Sequence, residues 1–136
     1  MSHTRWDCKY PVVFIPKRRQ KLIFGGIRNH LGDVFHELAR QKGVVIEEGH
    51  LMQDHVHMCL SIPPKFSVSN VVGFIKGKSA ISIARQFKGR RNYAGEEYWA
   101  RGYFVSTVGL DEDMVREYLR DQGKEDEHRD QLKFGV

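Results

Sequence analysis

Cysteine is scarce in this sequence: Cys8 and Cys59 are the only two, and they stand in no CxxC or zinc-ribbon spacing. That excludes a disulfide framework and a cysteine-built zinc site. No apolar run approaches the roughly 18 residues of a membrane span. No apolar leader stands near the start either, so the sequence reads as cytoplasmic, with no membrane partner. Internal repeats, low-complexity tracts and interdomain linkers are also missing, and the 136 residues read as one domain. With 40% hydrophobic and 29% charged residues, the balance is that of a soluble globular protein. A domain of this length hides roughly two-thirds of its unfolded surface on folding, so it can build a core without metal or disulfide staples.

Acid is absent from one long stretch. Residues 55–95 hold seven basic side chains (Lys65, Lys76, Lys78, Arg85, Lys88, Arg90, Arg91) and no Asp or Glu. Residues 1–110 carry 17 Lys/Arg against 8 Asp/Glu, a balance of +9; residues 111–136 carry 5 against 9, a balance of −4. A basic stretch of this kind holds a polyanion by displacing its counterions, or is a solvated face.

The pattern of elements is legible. Arg5 to Ile15 is apolar and β-branched and predicts a strand ended by Pro16, with a basic loop (Lys17, Arg18, Arg19, Lys21) after it. Leu31, Val34, Phe35 and Leu38 share one face of a helix from about Ile27 to Lys42, stopped by Gly43. Val44, Val45 and Ile46 open a second strand, with His50 and Leu51 leading into a turn around Gln53-Asp54, and a third strand runs from His55 to Ile62. A helix N-capped by Ser67 continues to about Phe87. A fourth strand spans Tyr103–Val108, and a last helix is capped by Asp111 with Glu112 and Asp113 in its first turn. The order β-α-β-β-α-β plus a terminal helix is the split βαβ pattern: an α+β, ferredoxin-like fold, with an antiparallel sheet, two helices on one face and the other face open.

The third strand carries the chemistry. Val56, Met58, Leu60 and Ile62 alternate with His55, His57, Cys59 and Ser61, so both imidazoles project from the face turned away from the helices, about 7 Å apart. Two neutral imidazoles on one rigid strand can chelate a divalent ion if further ligands arrive; alone, they are equally two histidines satisfied by hydrogen bonds. On the last helix Met114, Val115, Tyr118, Leu119 and Gln122 form one continuous face, which sets Tyr118 and Gln122 one turn apart. A phenol beside an amide oxygen suits a nucleophile beside a ligand, or a half-buried aromatic and its neighbour. Gly77-Lys78-Ser79 mimics the tail of a phosphate-binding loop, but its context is helical and Val72 stands where the first glycine belongs. His3, His30, His36, His50 and His128 form no cluster in the sequence.

Together these residues resemble the single-tyrosine HUH transposases of the smallest bacterial insertion sequences, the IS200-like family. The resemblance runs from His3-Thr4-Arg5-Trp6 through Asp54-His55-Val56-His57-Met58 and Trp99-Ala100-Arg101-Gly102-Tyr103-Phe104 to Tyr118-Leu119-Arg120-Asp121-Gln122. It implies one transposase domain over 1–136, with a ferredoxin-like core over 1–109 and a catalytic helix and tail over 110–136. His55, His57 and Gln122 match ligands of Mg²⁺ or Mn²⁺. Tyr118 matches the nucleophile that cleaves and rejoins single-stranded DNA through a 5′-phosphotyrosine, without ATP. The implied partners are a DNA hairpin at the element ends and a second copy of the chain, with C-terminal helices exchanged in a homodimer. Lys17, Arg18, Arg19, Lys76, Lys78, Arg85, Lys88, Arg90, Arg91 and Arg101 are candidates for holding that DNA. Phe66, Tyr93, Tyr98, Trp99 and Tyr103 either stack an unpaired base or pack internally. Rival readings are a related HUH nickase and a non-cleaving single-strand binding module; the latter expects paired aromatics where His55 and His57 stand.

Overall fold

A computed structural model describes residues 8–87, 98–106 and 113–122. In chain order these form β1 (Lys9–Phe14), a 3-10 turn (Lys17–Arg19), α1 (Gly25–Lys42), β2 (Val45–Leu51), β3 (Val56–Ser61), α2 (Val68–Gln86), β4 (Phe104–Val105) and a helix over 113–122, here α3. The expected α+β, split βαβ order is present, and every strand pairing is antiparallel in the order β2-β3-β1-β4. Within the expected fourth strand only Phe104–Val105 pairs; Thr107 and Val108 lie outside the described residues, as do Arg5, Asp111, Glu112 and Gly123.

Local signals set the helix ends. Gly43 takes the left-handed conformation (φ 66°) and its N–H meets the carbonyls of Ala39 and Arg40, a cap glycine adopts without a Cβ clash. The Ser67 hydroxyl accepts the Asn70 N–H at 3.0 Å and starts α2.

Two cores sandwich the sheet. On one side α1 (Ile27, Leu31, Phe35, Leu38) and α2 (Val71, Val72, Ile75, Ile83) cover Val12, Phe14, Val56, Met58 and Leu60. The Phe14 ring there stands edge-on to Phe35 and Trp99, at 6.0 and 4.8 Å between centroids. On the other side Val13 and Ile15 pack against Ala100, Val115 and Leu119, with Phe104 and Tyr118 alongside. The second face is therefore not open along its whole width, as the element order suggested: α3 covers its β1–β4 half. The reason stands in the sequence Val12-Val13-Phe14-Ile15, an unbroken apolar run that must be buried on both sides.

Gly77-Lys78-Ser79 lies inside α2. Ser79 is fully buried, accepts the Trp99 indole N–H at 2.9 Å and donates to the Lys76 carbonyl at 3.1 Å. Ser79→Ala strands that indole N–H in the core, and we expect a loss of about 1–3 kcal/mol. A lower urea midpoint at unchanged slope is the check.

Candidate functional site

β3 is flanked on both sides, by β2 and β1, so its parity is locked. Val56, Met58 and Leu60 are buried against the helices, and His57, Cys59 and Ser61 emerge on the opposite face. His55 stands immediately before the strand, and its Nδ1 lies 2.8 Å from Asp54 Oδ1. The second Asp54 oxygen accepts from Arg19 Nε at 3.0 Å. Burial pushes the Asp54 carboxyl up, but the His55 hydrogen bond and the charges of Arg19 and His55 outweigh it and hold the group below its usual range. An ionised carboxylate can only accept, so Nδ1 carries the proton and, in the neutral form of the ring, the lone pair lies at Nε2. Arg18 and Arg19 both sit in the left-handed region, at φ 60° and 52°. Non-glycine residues there cost of the order of 1 kcal/mol or more each and persist only where the surroundings hold them. Here Arg19 N–H bonds the Pro16 carbonyl, Lys17 N–H bonds that of Tyr98, and the Arg19 side chain is tied to Asp54.

His57 faces His50 directly across the β2–β3 ladder, with 5.8 Å between ring centroids. A bulge at Glu47 makes this possible. Ile46 pairs with inward-facing Leu60 and Glu48 with outward-facing Cys59, so the extra residue turns Gly49 inward and His50 outward. Glu48 Oε1 lies 3.1 Å from His50 Nε2. His50 is thus no scattered histidine, as the sequence suggested, but a neighbour of the central pair. Burial, reinforced by the charges of His50 and His55 and opposed by Glu48, pushes the His57 pKa down. The neutral imidazole is the form that binds metal.

α3 brings the other two residues to this face. Val115 and Leu119 seat it in the second core, and the Tyr118 ring lies 5.6 Å from that of Phe104 with its hydroxyl shielded from solvent. The register places His50, His57, Val13 and Phe104 in one row across the four strands. Phe104, the residue Tyr118 packs on, is therefore two strand spacings, about 10 Å, from His57. Gln122 is 7% exposed and its Nε2 donates to the Arg101 carbonyl at 2.9 Å. The flanking carbonyls of Ala100 and Gly102 both accept from Lys76 Nζ at 2.7 Å, and Ala100 N–H bonds the Ile15 carbonyl. Gln122 is thereby tied to the end of β1 that lies level with His55, and its own Oε1 remains as an acceptor. Among the described residues no three His, Cys, Asp or Glu side chains are grouped so that they could hold a metal ion by themselves. An amide oxygen such as that of Gln122 is a donor of another kind that can serve beside imidazoles.

The basic candidates do not form one surface. Lys17, Arg18 and Arg19 follow β1 at the His55 end, and Arg101 is exposed beside Gln122. Lys78 and Arg85 are exposed on α2, behind the sheet; Lys76 reaches from there to the Ala100 and Gly102 carbonyls. Lys88, Arg90 and Arg91 lie outside the described residues, as does Tyr93. Tyr98 and Trp99 are buried in the first core, and Phe66 and Tyr103 pack against it. Sequence reasoning missed the supports: Asp54 and Arg19 behind His55, and His50 beside His57. The one available signal was the carboxylate directly preceding a histidine.

In metal-free protein, His57 is expected to titrate below the ordinary value of about 6.5. Because the folded chain takes up this proton less readily than the unfolded one, the stability it contributes is full above about pH 6.5 and is lost as pH falls through the folded value. His50→Gln removes one repelling charge and raises the midpoint, while burial keeps it under the ordinary value. ¹⁵N-detected titration of the imidazoles reads both effects; an unchanged midpoint in the variant would show that the two rings do not interact.

Comparison with known proteins places the chain in a family. Residues 4–122 match the family described as "Transposase IS200 like". The transposase for insertion sequence element IS200 of Salmonella typhimurium is 41% identical over 135 residues, covering 98% of this chain and 89% of that protein. A crystal structure from Deinococcus radiodurans R1, assigned as a transposase, superposes with a TM-score of 0.79 at 22% identity, over 90% of this chain and 95% of that one. A REP-associated tyrosine transposase bound to a REP hairpin shares the fold at a TM-score of 0.58 and 13% identity, over 86% and 68% of the two chains. The chain belongs to the IS200-like transposase family, and is a DNA-processing enzyme of that kind.

Proposed function

We propose that this transposase cleaves and rejoins single-stranded DNA at insertion-sequence ends by transesterification at Tyr118. One observation carries the reading: His57 of β3, His55 just before it, and Tyr118 and Gln122 of α3 lie on the same side of the sheet. Tyr118 Oη attacks phosphorus, the P–Oη bond forms and the P–O3′ bond breaks. The tyrosine loses its proton and the departing 3′-oxygen gains one, so no proton is consumed overall. The 5′-phosphotyrosine keeps the energy of the phosphodiester, and a 3′-hydroxyl reverses the step without ATP. His55 Nε2, His57 and Gln122 Oε1 would hold Mg²⁺ or Mn²⁺, which supplies positive charge for the phosphoryl oxygens. Asp54 and Arg19 hold the His55 ring, and the Arg101 carbonyl holds the Gln122 amide. Because the Tyr118 hydroxyl is shielded, α3 shifts on the sheet when DNA enters. The proposed DNA partner is a hairpin at the element end, in line with the hairpin bound by the REP-associated relative.

A covalent protein–DNA adduct on a denaturing gel tests this, with single strands from the element ends and Mg²⁺ or Mn²⁺. Wild-type adduct should vanish with EDTA, in Tyr118→Phe and in His57→Ala. An adduct that survives Tyr118→Phe overturns the assignment of the nucleophile; hairpin binding without any adduct favours a non-cleaving protein. Asp54→Asn, which removes the charge fixing His55, should weaken Mn²⁺ binding by about 10–100-fold, read by calorimetry on the folded variant.

A further inference from the structure

One carboxylate joins the basic turn after β1 to the histidine side of the sheet. Asp54 Oδ1 meets His55 Nδ1 at 2.8 Å, and Asp54 Oδ2 accepts from Arg19 Nε at 3.0 Å. The three side chains run from the surface inward: Arg19 is 38% exposed, Asp54 23% and His55 19%. A guanidinium carries five N–H donors in a planar fork, and Asp54 engages Arg19 through Nε. The backbone beneath this contact is costly and firmly held. Arg18 and Arg19 are both left-handed, Arg19 N–H bonds the Pro16 carbonyl at 2.8 Å, and Lys17 N–H bonds that of Tyr98 at 2.9 Å. Pro16 itself bridges to Trp99. An ion pair open to solvent contributes little to stability by itself and does not offset such strain. Strain of this kind collects where a side chain must be held for function.

We infer that Arg19 is a positioning residue through which the DNA backbone orders the metal site: its Nε holds Asp54 while its Nη groups bind a phosphate next to the scissile one. The inference rests on the strand-cleavage reading above and adds to it a link between strand and ion. His55 turns Nδ1 toward Asp54, so an ion at Nε2 lies across the ring from that contact. One imidazole and one carboxylate then separate the ion from the guanidinium, more than a single phosphate group spans. The phosphate that reaches Arg19 is therefore a backbone neighbour of the one over the ion. A backbone phosphate is presented whatever its base pairs with. Arginine suits the double task, because its planar fork serves two anions at once, whereas the ammonium of lysine is a point charge. A phosphate on the outer edge removes the freedom that a surface side chain keeps, and the ordering passes through Asp54 to the His55 ring. An ion that meets an already ordered ring loses less on binding. By linkage, strand and ion then tighten one another by the same factor.

The test uses the full chain carrying Tyr118→Phe, which leaves the strand uncut, with Mn²⁺ and an excess of element-end single strand. Each of the two linkages flanking the scissile phosphate is made in turn as a phosphate or as a neutral methylphosphonate. Calorimetry gives the Mn²⁺ Kd of each complex, and the ratio of neutral to charged strand measures the coupling. With Arg19 present, one of the two linkages should give a ratio of about tenfold. Adding Arg19→Lys or Arg19→Ala should bring that ratio close to one. A general folding defect weakens Mn²⁺ binding in charged and neutral complexes alike and leaves the ratio in place, so it does not imitate the expected result. A ratio of one or less at both linkages with Arg19 present overturns the inference. So does a ratio that survives in both variants, which is the direct pull of the phosphate on the ion. Adduct formation by wild type, run alongside, separates the two readings: no adduct overturns the tyrosine reading and this one together, whereas an adduct with either of those ratios overturns this one alone.

Discussion

The pleat of β3 is the constraint on which the rest depends. Side chains alternate across a strand, and β3 is pinned on both edges by the ladders to β1 and β2. With Val56, Met58 and Leu60 committed to the core, His57 has no choice of face. A slip of one residue would exchange apolar and imidazole sides at once, so the force that fixes the site's orientation is hydrophobic burial on the far side of the strand.

The opposite requirement, bringing the proposed nucleophile to that face, is met by β1. Val13 and Ile15 leave an apolar surface that only another element can cover, and α3 covers it. The same packing that buries Val115 and Leu119 carries Tyr118 and Gln122 to the histidine side. Lys76 extends the arrangement across the sheet: from α2 it binds the carbonyls on either side of Arg101, whose own carbonyl receives Gln122. A lysine in the basic stretch thus has a structural task, whatever its neighbours hold.

The two histidines are prepared differently. His55 is oriented through Asp54 and Arg19, with strained backbone at Arg18 and Arg19 accepted in exchange for that contact. His57 is kept neutral, first by burial and then by the neighbouring imidazoles. Orientation and neutrality are the two properties a metal-binding imidazole needs. Both arise here from neighbours distant in sequence or displaced by a bulge.

The sequence by itself determined the order of elements, the cap residues Gly43 and Ser67, the parity of His55-Val56-His57-Met58 and the pairing of Tyr118 with Gln122, because each is written in short-range periodicity or local backbone chemistry. The family resemblance drew on the same local strings. Only the tertiary structure decided that the second sheet face is half covered, that Lys76 clamps the Arg101 segment, that Arg19 backs His55, and that His50 joins His57. The last case shows why: one extra residue at Glu47 reverses the parity of the rest of β2, and a bulge leaves no mark on a pattern read two residues at a time. Contacts between residues 35 apart, such as Arg19 with Asp54, depend on where the sheet and its turns bring them, which no local rule contains.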